Sequence, residues 1–411
     1  MEFRPILSAL MRSKTGPILV ALQVALSLAI LANCAHIVNG RRAVAARPSG
    51  LLDEHSTFYM TVRNLSNDTP EQQLANIKRQ TEVLRAVGGA ASVANVSQMP
   101  LSRSGSNNSV AVDRTQTRSS AVASTYVSGD SLVKTFGLKL VEGRDFLPQE
   151  LVDVNEGTTT DYPKQVIVTK PLAEKLWPGQ SAVGKTMYFG IGADAQGVQV
   201  VGVVEALMST QAEVGERGEE SVIVPARLYG GEPYTLYAVR TEPGQRDRVM
   251  KEAESALRKS SASPMILKLK TVDEDRKDRY RADVALQWML ITVGVLLLLI
   301  TCSGIVGMAS LWVTQRRKQI GVRRALGARR FDILRYFILE NFMITSAGVF
   351  GGVALGLALN QLLVSQLEMA RLPAGYLVFG GLGFWLLGVL AAYGPAWKAA
   401  SISPATATRS V

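Results

Sequence analysis

The residues best equipped for chemistry are Gly179-Gln-Ser-Ala-Val-Gly184-Lys185-Thr186, which satisfy the phosphate-loop pattern G-x-x-x-x-G-K-[ST]. In such a loop, backbone N–H groups and a helix N-terminus cradle the phosphates of a nucleotide while the lysine reaches forward to them. That geometry needs a strand before the glycines and a helix after them. Here the flanks run the other way. Pro171 to Leu176 reads as helical and stops at Trp177-Pro178, whereas Thr186 to Phe189 has the pattern of a strand. No apolar strand ending in a second-motif aspartate follows. Gly179, Gly184, Lys185 and Thr186 are therefore expected to form a structural turn, and no cofactor is expected on this chain. Cys34 and Cys302 stand on different apolar segments, and His36 and His55 are the only histidines. Neither a disulfide framework nor a His/Cys metal site is predicted, and no triad or paired-carboxylate constellation emerges.

The elements around these residues are dominated by four apolar runs, near Pro17 to Val38, Val284 to Val313, Phe337 to Val364 and Gly375 to Tyr393. Each is long enough as a helix to cross a hydrocarbon core of roughly 30 Å. The formal charge of +11 divides unevenly. From Gly40 to Ala285 there are 31 basic against 30 acidic residues, so the excess lies almost wholly beside the apolar runs. That is the distribution of membrane orientation, and it leaves no basic stripe for nucleic acid. Eight Lys/Arg between Arg316 and Arg335, against Arg371 alone between the last two runs, put the former segment inside the cell and residues 40–283 outside. Arg41 and Arg42, on the outer side, run against this balance. Met1 to Lys14 reads as an amphipathic helix on the inner leaflet, leading into the first span; a signal peptide is the competing reading, with Asn33 before Cys34 against cleavage.

Within the outer region, Thr57 to Val62 alternates as a strand, Pro70 to Val87 has a helical period, and Ala91 to Gln98 returns to strand. Tyr234 to Arg240, Gly244 to Ser260 and Met265 to Thr271 repeat the strand-helix-strand order, so the two units can pair into one α/β layer. Ser102 to Ser109 reads as an exposed loop. Asp273 to Asp283, of mixed sign, reads as a solvated helix running into the second span. In the third span Gly348, Gly352 and Gly356 recur every four residues on one face, which serves close helix approach either within the chain or between subunits. Gln23, Asn33, Gln287 and Asn360 are scattered polar positions that form no ion relay.

Between the second and third spans lies QRRKQIGVRRALGARRFDILRYFILEN, Gln315 to Asn341. Wound as a helix, it places Arg316, Arg317, Arg323 and Arg324 with Ile320 on one face and Val322, Ala325 and Leu326 on the other, until Gly327 offers a C-terminus. Simple positive-inside anchoring is one reading of this charge. The order IGVRRALGA, then RFDIL, then Glu340 and a glycine-spaced helix resembles the FtsX-like, MacB-type permeases of ATP-binding cassette transporters. Val127 to Phe146, Gln165 to Gly190 and Val198 to Ala206 are similar in order and spacing to the periplasmic core domain of the same family. The tail around Trp397, Lys398 and Pro404 resembles the family's closing segment. Two departures are Gln319, where the family has Glu, and Thr406 to Arg409, where it has Glu-Ala-Leu-Arg.

The resemblance implies a membrane protein of four transmembrane α-helices, with a large extracytoplasmic α/β domain inserted between the first and second. Its expected parts are residues 1–39, with the amphipathic helix and first span; 40–283 outside, porter-like at about 50–125 and 233–272 with a smaller insert at 126–232; and 284–411, the permease domain with a coupling helix at 315–328. It further implies a permease subunit of the mechanotransmission type in a bacterial inner membrane. Arg316, Arg317, Gln319, Ile320, Gly321, Arg323, Arg324 and Gly327 would contact a cytoplasmic ATPase dimer that holds ATP and Mg. A second permease, a periplasmic adaptor and an outer-membrane channel are the other implied partners, with export of a drug, peptide or lipid-linked substrate. The alternative is a membrane-anchored sensor or a regulator of a cell-wall hydrolase.

Overall fold

The computed structural model describes residues 15–158, 163–212, 216–261, 263–367 and 371–401. The amphipathic stretch Met1 to Lys14 and the tail at Pro404 and Thr406 to Arg409 lie outside them. The chain divides into two compact units, one formed by residues 1–43 and 283–411 and the other by Val44–Ala282.

In chain order the elements are α1 (Thr15–Ala45), β1 (Thr57–Asn64), α2 (Pro70–Arg85), β2 (Ala90–Val96), β3 (Asn107–Ala111), β4 (Ala121–Val127), α3 (Leu132–Phe136), β5 (Leu140–Gly143), β6 (Val152–Asn155), β7 (Gln165–Thr169), α4 (Lys170–Leu176), β8 (Thr186–Phe189), β9 (Gln196–Val204), β10 (Ser221–Val224), β11 (Ala226–Tyr229), β12 (Thr235–Thr241), α5 (Arg246–Ser260), β13 (Met265–Thr271), α6 (Val272–Gln315), α7 (Arg317–Ala325), α8 (Arg330–Leu367) and α9 (Ala374–Ala400). Helices α1, α6, α8 and α9 are long and apolar enough to cross a membrane.

In the second unit, β1-α2-β2 and β12-α5-β13 interleave into one antiparallel sheet of order β13-β1-β12-β2. Phe58, Met60 and Val62, alternate residues of β1, meet Ile77 and Leu84 of α2 and Val249, Ala253 and Leu257 of α5 in one core. Thr69 starts α2 with a capping box closed by Gln72, which satisfies two backbone donors reciprocally. The remaining strands form a seven-stranded sheet of order β5-β9-β7-β10-β4-β3-β8, in which β8 also pairs with β9. That extra pairing closes the sheet on itself around Val110, Ala123, Val166, Val168, Met187, Val200 and Val222, and a closed sheet exposes fewer unpaired strand edges.

Three expectations change. The porter-like part does not extend to residue 125, because β3 and β4 pair with each other and β4 pairs with β10, inside the seven-stranded sheet. The Gly/Ser/Asn-rich patch ends at β3, where Asn107 and Asn108 pair with β4 but stay exposed, before the residues Val110 and Ala111 that β8 also pairs. The lead from Asp273 to Asp283 is solvated on one face only: Glu274, Lys277, Asp278 and Arg281 are exposed, whereas Asp275 is 1% exposed and Tyr280 and Asp283 are buried. Lys270 binds Asp275 at 2.7 Å, the partner that periodicity alone could not supply.

In the first unit, Val20, Val24 and Leu28 of α1 pack with Ile305 and Trp312 of α6, Ile344 and Val349 of α8, and Phe384 of α9. The polar positions of these helices tie neighbours together. Ser27 meets Thr301 at 2.8 Å, Asn33 donates to the Gly356 carbonyl at 3.2 Å, Asn341 donates to the Gly388 carbonyl at 2.7 Å, and the Asn360 side chain accepts from the Leu372 N–H at 2.9 Å. Buried amides use their hydrogen bonds for helix association where no water competes.

Candidate functional site

The elbow is a short helix, α7, set between the ends of α6 and α8. It begins one residue after α6, and Arg316 at the junction still donates its N–H to the Trp312 carbonyl at 3.0 Å. Its exit is a Schellman motif. The Ala328 N–H reaches the Arg323 carbonyl at 3.1 Å, the Gly327 N–H reaches the Arg324 carbonyl at 3.2 Å, and Gly327 has φ +97°. A side chain at Gly327 would meet nothing within 4 Å, so glycine is required there by conformation and not by space. The Asp332 carboxylate accepts the Arg329 N–H at 2.9 Å and caps the start of α8. Two defined ends, one residue from α6 and four from α8, fix the direction of the intervening helix.

The faces of α7 differ from expectation. Arg316, Ile320 and Arg324 share one face at four-residue spacing, and that face is turned toward the chain itself. Ile320 packs among Ile333, Phe337, Ala396, Ala399 and Ala400. Arg316 pairs with both oxygens of Glu340 at 2.9 and 3.0 Å, where Glu340 is 1% exposed. Arg324 donates to the Ala400 carbonyl at 3.2 Å, near the C-terminal end of α9, where a cation complements the helix dipole. Gly321 is buried as well. Glu340 is thus the counter-charge that holds the elbow down.

The outward face is accordingly mixed. Arg317, Gln319 and Arg323 are exposed, together with Val322 and Leu326, the last at 82%. Arg323 also lies 5.0 Å from the ring of Tyr336. Val322, Ala325 and Leu326, the apolar residues set apart from the arginines, are exposed and form the tip, because Ile320 already fills the groove between α8 and α9. Phe331, just beyond Gly327, is exposed beside them.

The glycines of α8 seat α1. A Cβ at Gly348 would lie 2.7 Å from Val24 Cβ and 2.8 Å from the Ala21 carbonyl oxygen, and one at Gly352 would lie 2.9 Å from Leu28 Cβ. One at Gly356 would meet Leu377 of α9 at 2.9 Å and Ala29 at 3.5 Å. Contacts this short leave no room for a second chain on that face.

The phosphate-loop pattern lies between α4 and β8, with a helix before it and a strand after. Gly179 and Gly184 have φ of +69° and +85°. The Gly184 N–H donates to the Val200 carbonyl at 2.8 Å, the Lys185 N–H to the Ala182 carbonyl at 3.1 Å, and the Val200 N–H to the Lys185 carbonyl at 2.9 Å. The Lys185 ammonium binds the Gln180 side chain and stands 5.5 Å from the Trp177 ring. Backbone donors that would cradle phosphate are thus engaged in bringing Thr186 into β8, the strand that closes the sheet. No cluster of metal-ligating side chains occurs among the described residues.

The residues sequence reading missed are Glu54 and Arg276. Arg276 binds both Glu54 oxygens at 2.7 Å and the carbonyls of Ala45 and Arg47 at 2.7 and 3.0 Å. Nothing local signals a pairing across 222 positions.

Known proteins resemble this chain in both units. The model of the MacB-like periplasmic core domain matches residues 19–256, and that of the FtsX-like permease C-terminal domain matches residues 291–404. The macrolide export ATP-binding/permease protein MacB of Chromobacterium violaceum is 26% identical over 286 residues, covering 67% of this chain and 42% of that protein. An uncharacterized ABC transporter permease of Methanocaldococcus jannaschii, MJ1507, is 28% identical over 223 residues, covering 50% of this chain and 53% of its own. The periplasmic region of MacB from Actinobacillus actinomycetemcomitans matches 57% of this chain with 97% of its own, at 14% identity and a TM-score of 0.33. The chain spans about two fifths of the length of the MacB relatives it matches.

Proposed function

Because this chain belongs to the MacB-type permeases, with a MacB-like periplasmic core domain and an FtsX-like permease domain, we propose that it is the permease subunit of an ATP-binding cassette transporter of the mechanotransmission type. A separate cytoplasmic ATPase dimer holds ATP and Mg and docks on the outward face of α7. A second permease completes the membrane part, in a bacterial inner membrane, and the outer domains of the two change their separation when the ATPase closes. The transported substrate is a drug, peptide or lipid-linked molecule, delivered outside to an adaptor and an outer-membrane channel. The phosphate-loop match at Gly179 to Thr186 is a turn of the outer domain and holds no nucleotide.

One observation carries this reading. A helix of nine residues, fixed at one end by a buried ion pair and at the other by a left-handed glycine, presents a basic rim around the exposed Val322 and Leu326. A membrane anchor needs the charge but not the fixed direction or the apolar tip. Gly327→Val strains a φ of +97°, at about 1–2 kcal/mol, whereas loss of one exposed ion pair costs under about 1 kcal/mol. Gly327→Val should leave the chain inserted yet reduce ATPase stimulation far more than Arg317→Ala does. Crosslinks from Leu326→Cys should reach a co-purifying ATPase. An unaffected Gly327→Val, or an elbow that crosslinks to no ATPase, would refute the reading.

A further inference from the structure

Arg276 lies in the first turns of α6, and its guanidinium is aimed at the other end of a different long helix. Ala45 is the last residue of α1, so its carbonyl is one of the four that a helix leaves without an internal partner. Arg276 Nη1 supplies that partner at 2.7 Å, and a cation there also complements the helix dipole. Nη2 donates to the Arg47 carbonyl at 3.0 Å, two residues past the helix. Nε and Nη2 then grip the two oxygens of Glu54, each at 2.7 Å, and Glu54 in turn accepts the Ser49 N–H at 3.2 Å. One side chain thus binds the helix end, the connecting segment and the carboxylate at the far side of that segment. A flat fork with five N–H donors can do this, and a lysine ammonium cannot.

The grip is reinforced on both sides. Three residues on, Arg279 donates to the carbonyls of Gln211 and Ala212 at 2.6 and 3.1 Å and lies 5.4 Å from the ring of Tyr280. At the outer ends of the apolar segments Arg41 of α1 pairs with Asp283 of α6. Val272, Asp275 and Tyr280 are buried around this lead, and Arg276 and Glu54 are themselves part-buried, so water reaches the bonds from one side only.

We propose that Arg276 is a positioning residue that caps α1 from a distance and joins the outer ends of the first and second spans into one mechanical body, with Glu54 as its anchor. In a permease working as proposed above, on which only this consequence rests, displacement of the second span is delivered to the outer domain together with that of the first. The two spans do not slide past each other at their outer ends.

The joint is tested on the full chain in lipid nanodiscs by hydrogen exchange of the backbone amides of residues 46–54. Arg276→Gln should raise exchange there by tenfold or more and leave β1 and β12 protected, and Arg276→Lys should recover only part of the protection. Unchanged exchange at 46–54, or faster exchange throughout the outer domain, would overturn the proposal. A second measurement adds the ATPase and reads the ATP-dependent distance between spin labels at Ser106→Cys and Ala325→Cys. If the parent responds to ATP, Arg276→Gln should abolish the response while hydrolysis continues, and a retained response would overturn the role of Arg276. If the parent itself never responds, the transport reading fails and the exchange result alone decides the joint.

Discussion

At the scale of single residues, the charges that matter are those that found partners. Glu340 is closed off from solvent and held by Arg316, so removing the arginine strands a carboxylate in an apolar setting. Arg316→Ala should cost about 3 kcal/mol or more in thermal unfolding of the detergent-solubilised chain, and Arg316→Met with Glu340→Leu together should recover most of it. Glu54 gives a pH signature. Burial pushes its carboxyl up, but the hydrogen bonds from Arg276 and Ser49 outweigh that and hold it below the ordinary value of 4.5. A carboxylate with a lowered folded pKa stabilises the fold above the unfolded value and loses that contribution as pH falls through the folded one. Stability of the outer domain should therefore drop as pH is lowered below about 4.5, and Glu54→Gln should flatten that part of the profile. The sequence made the basic residues of the elbow conspicuous, yet it could not say which were spoken for. Arg316 and Arg324 differ from Arg317 only in what stands opposite them in space, and that is Glu340 and the end of α9.

Elements were easier to read than their pairings. The strand-helix-strand units at either end of the outer region follow from alternation at Phe58, Met60 and Val62 and from the helical period of Pro70 to Val87, both local signals. Assignment of β3 and β4 to the closed sheet did not follow, because a parallel partner such as β10 lies almost a hundred residues away. The glycine face of α8 was visible as a spacing, but its occupant was not. Since α1 fills it, Gly352→Leu should drive the two helices apart and destabilise the chain by about 1–3 kcal/mol. Gly383→Leu, at a position of α9 with nothing within 4 Å, should be tolerated. Thermal unfolding of both variants in detergent checks the contrast, and equal losses would mean that α1 does not depend on this seat.

For the whole molecule, the distribution of charge along the chain decided most. An outer region of balanced charge and a cytoplasmic elbow of one sign orient a multi-pass membrane protein with its large domain in the periplasm. After Cys34 and Cys302 are replaced, a membrane-impermeant maleimide should label Ser106→Cys in intact cells and leave Ala325→Cys untouched until the membrane is opened. The reverse pattern would invert the assignment. Helix α6 then carries an implication about angle as well as distance. It runs unbroken for 44 residues, about 66 Å, from Val272 to Gln315. An extra residue inserted near Val284 would advance one end by only about 1.5 Å but turn it by about 100°. Seven extra residues would lengthen the rod by about 10 Å and restore its azimuth to within about 20°. Insertion of a whole heptad into α6 should therefore disturb the side-chain faces of that helix less than insertion of a single residue does, and what is at stake along it is phase.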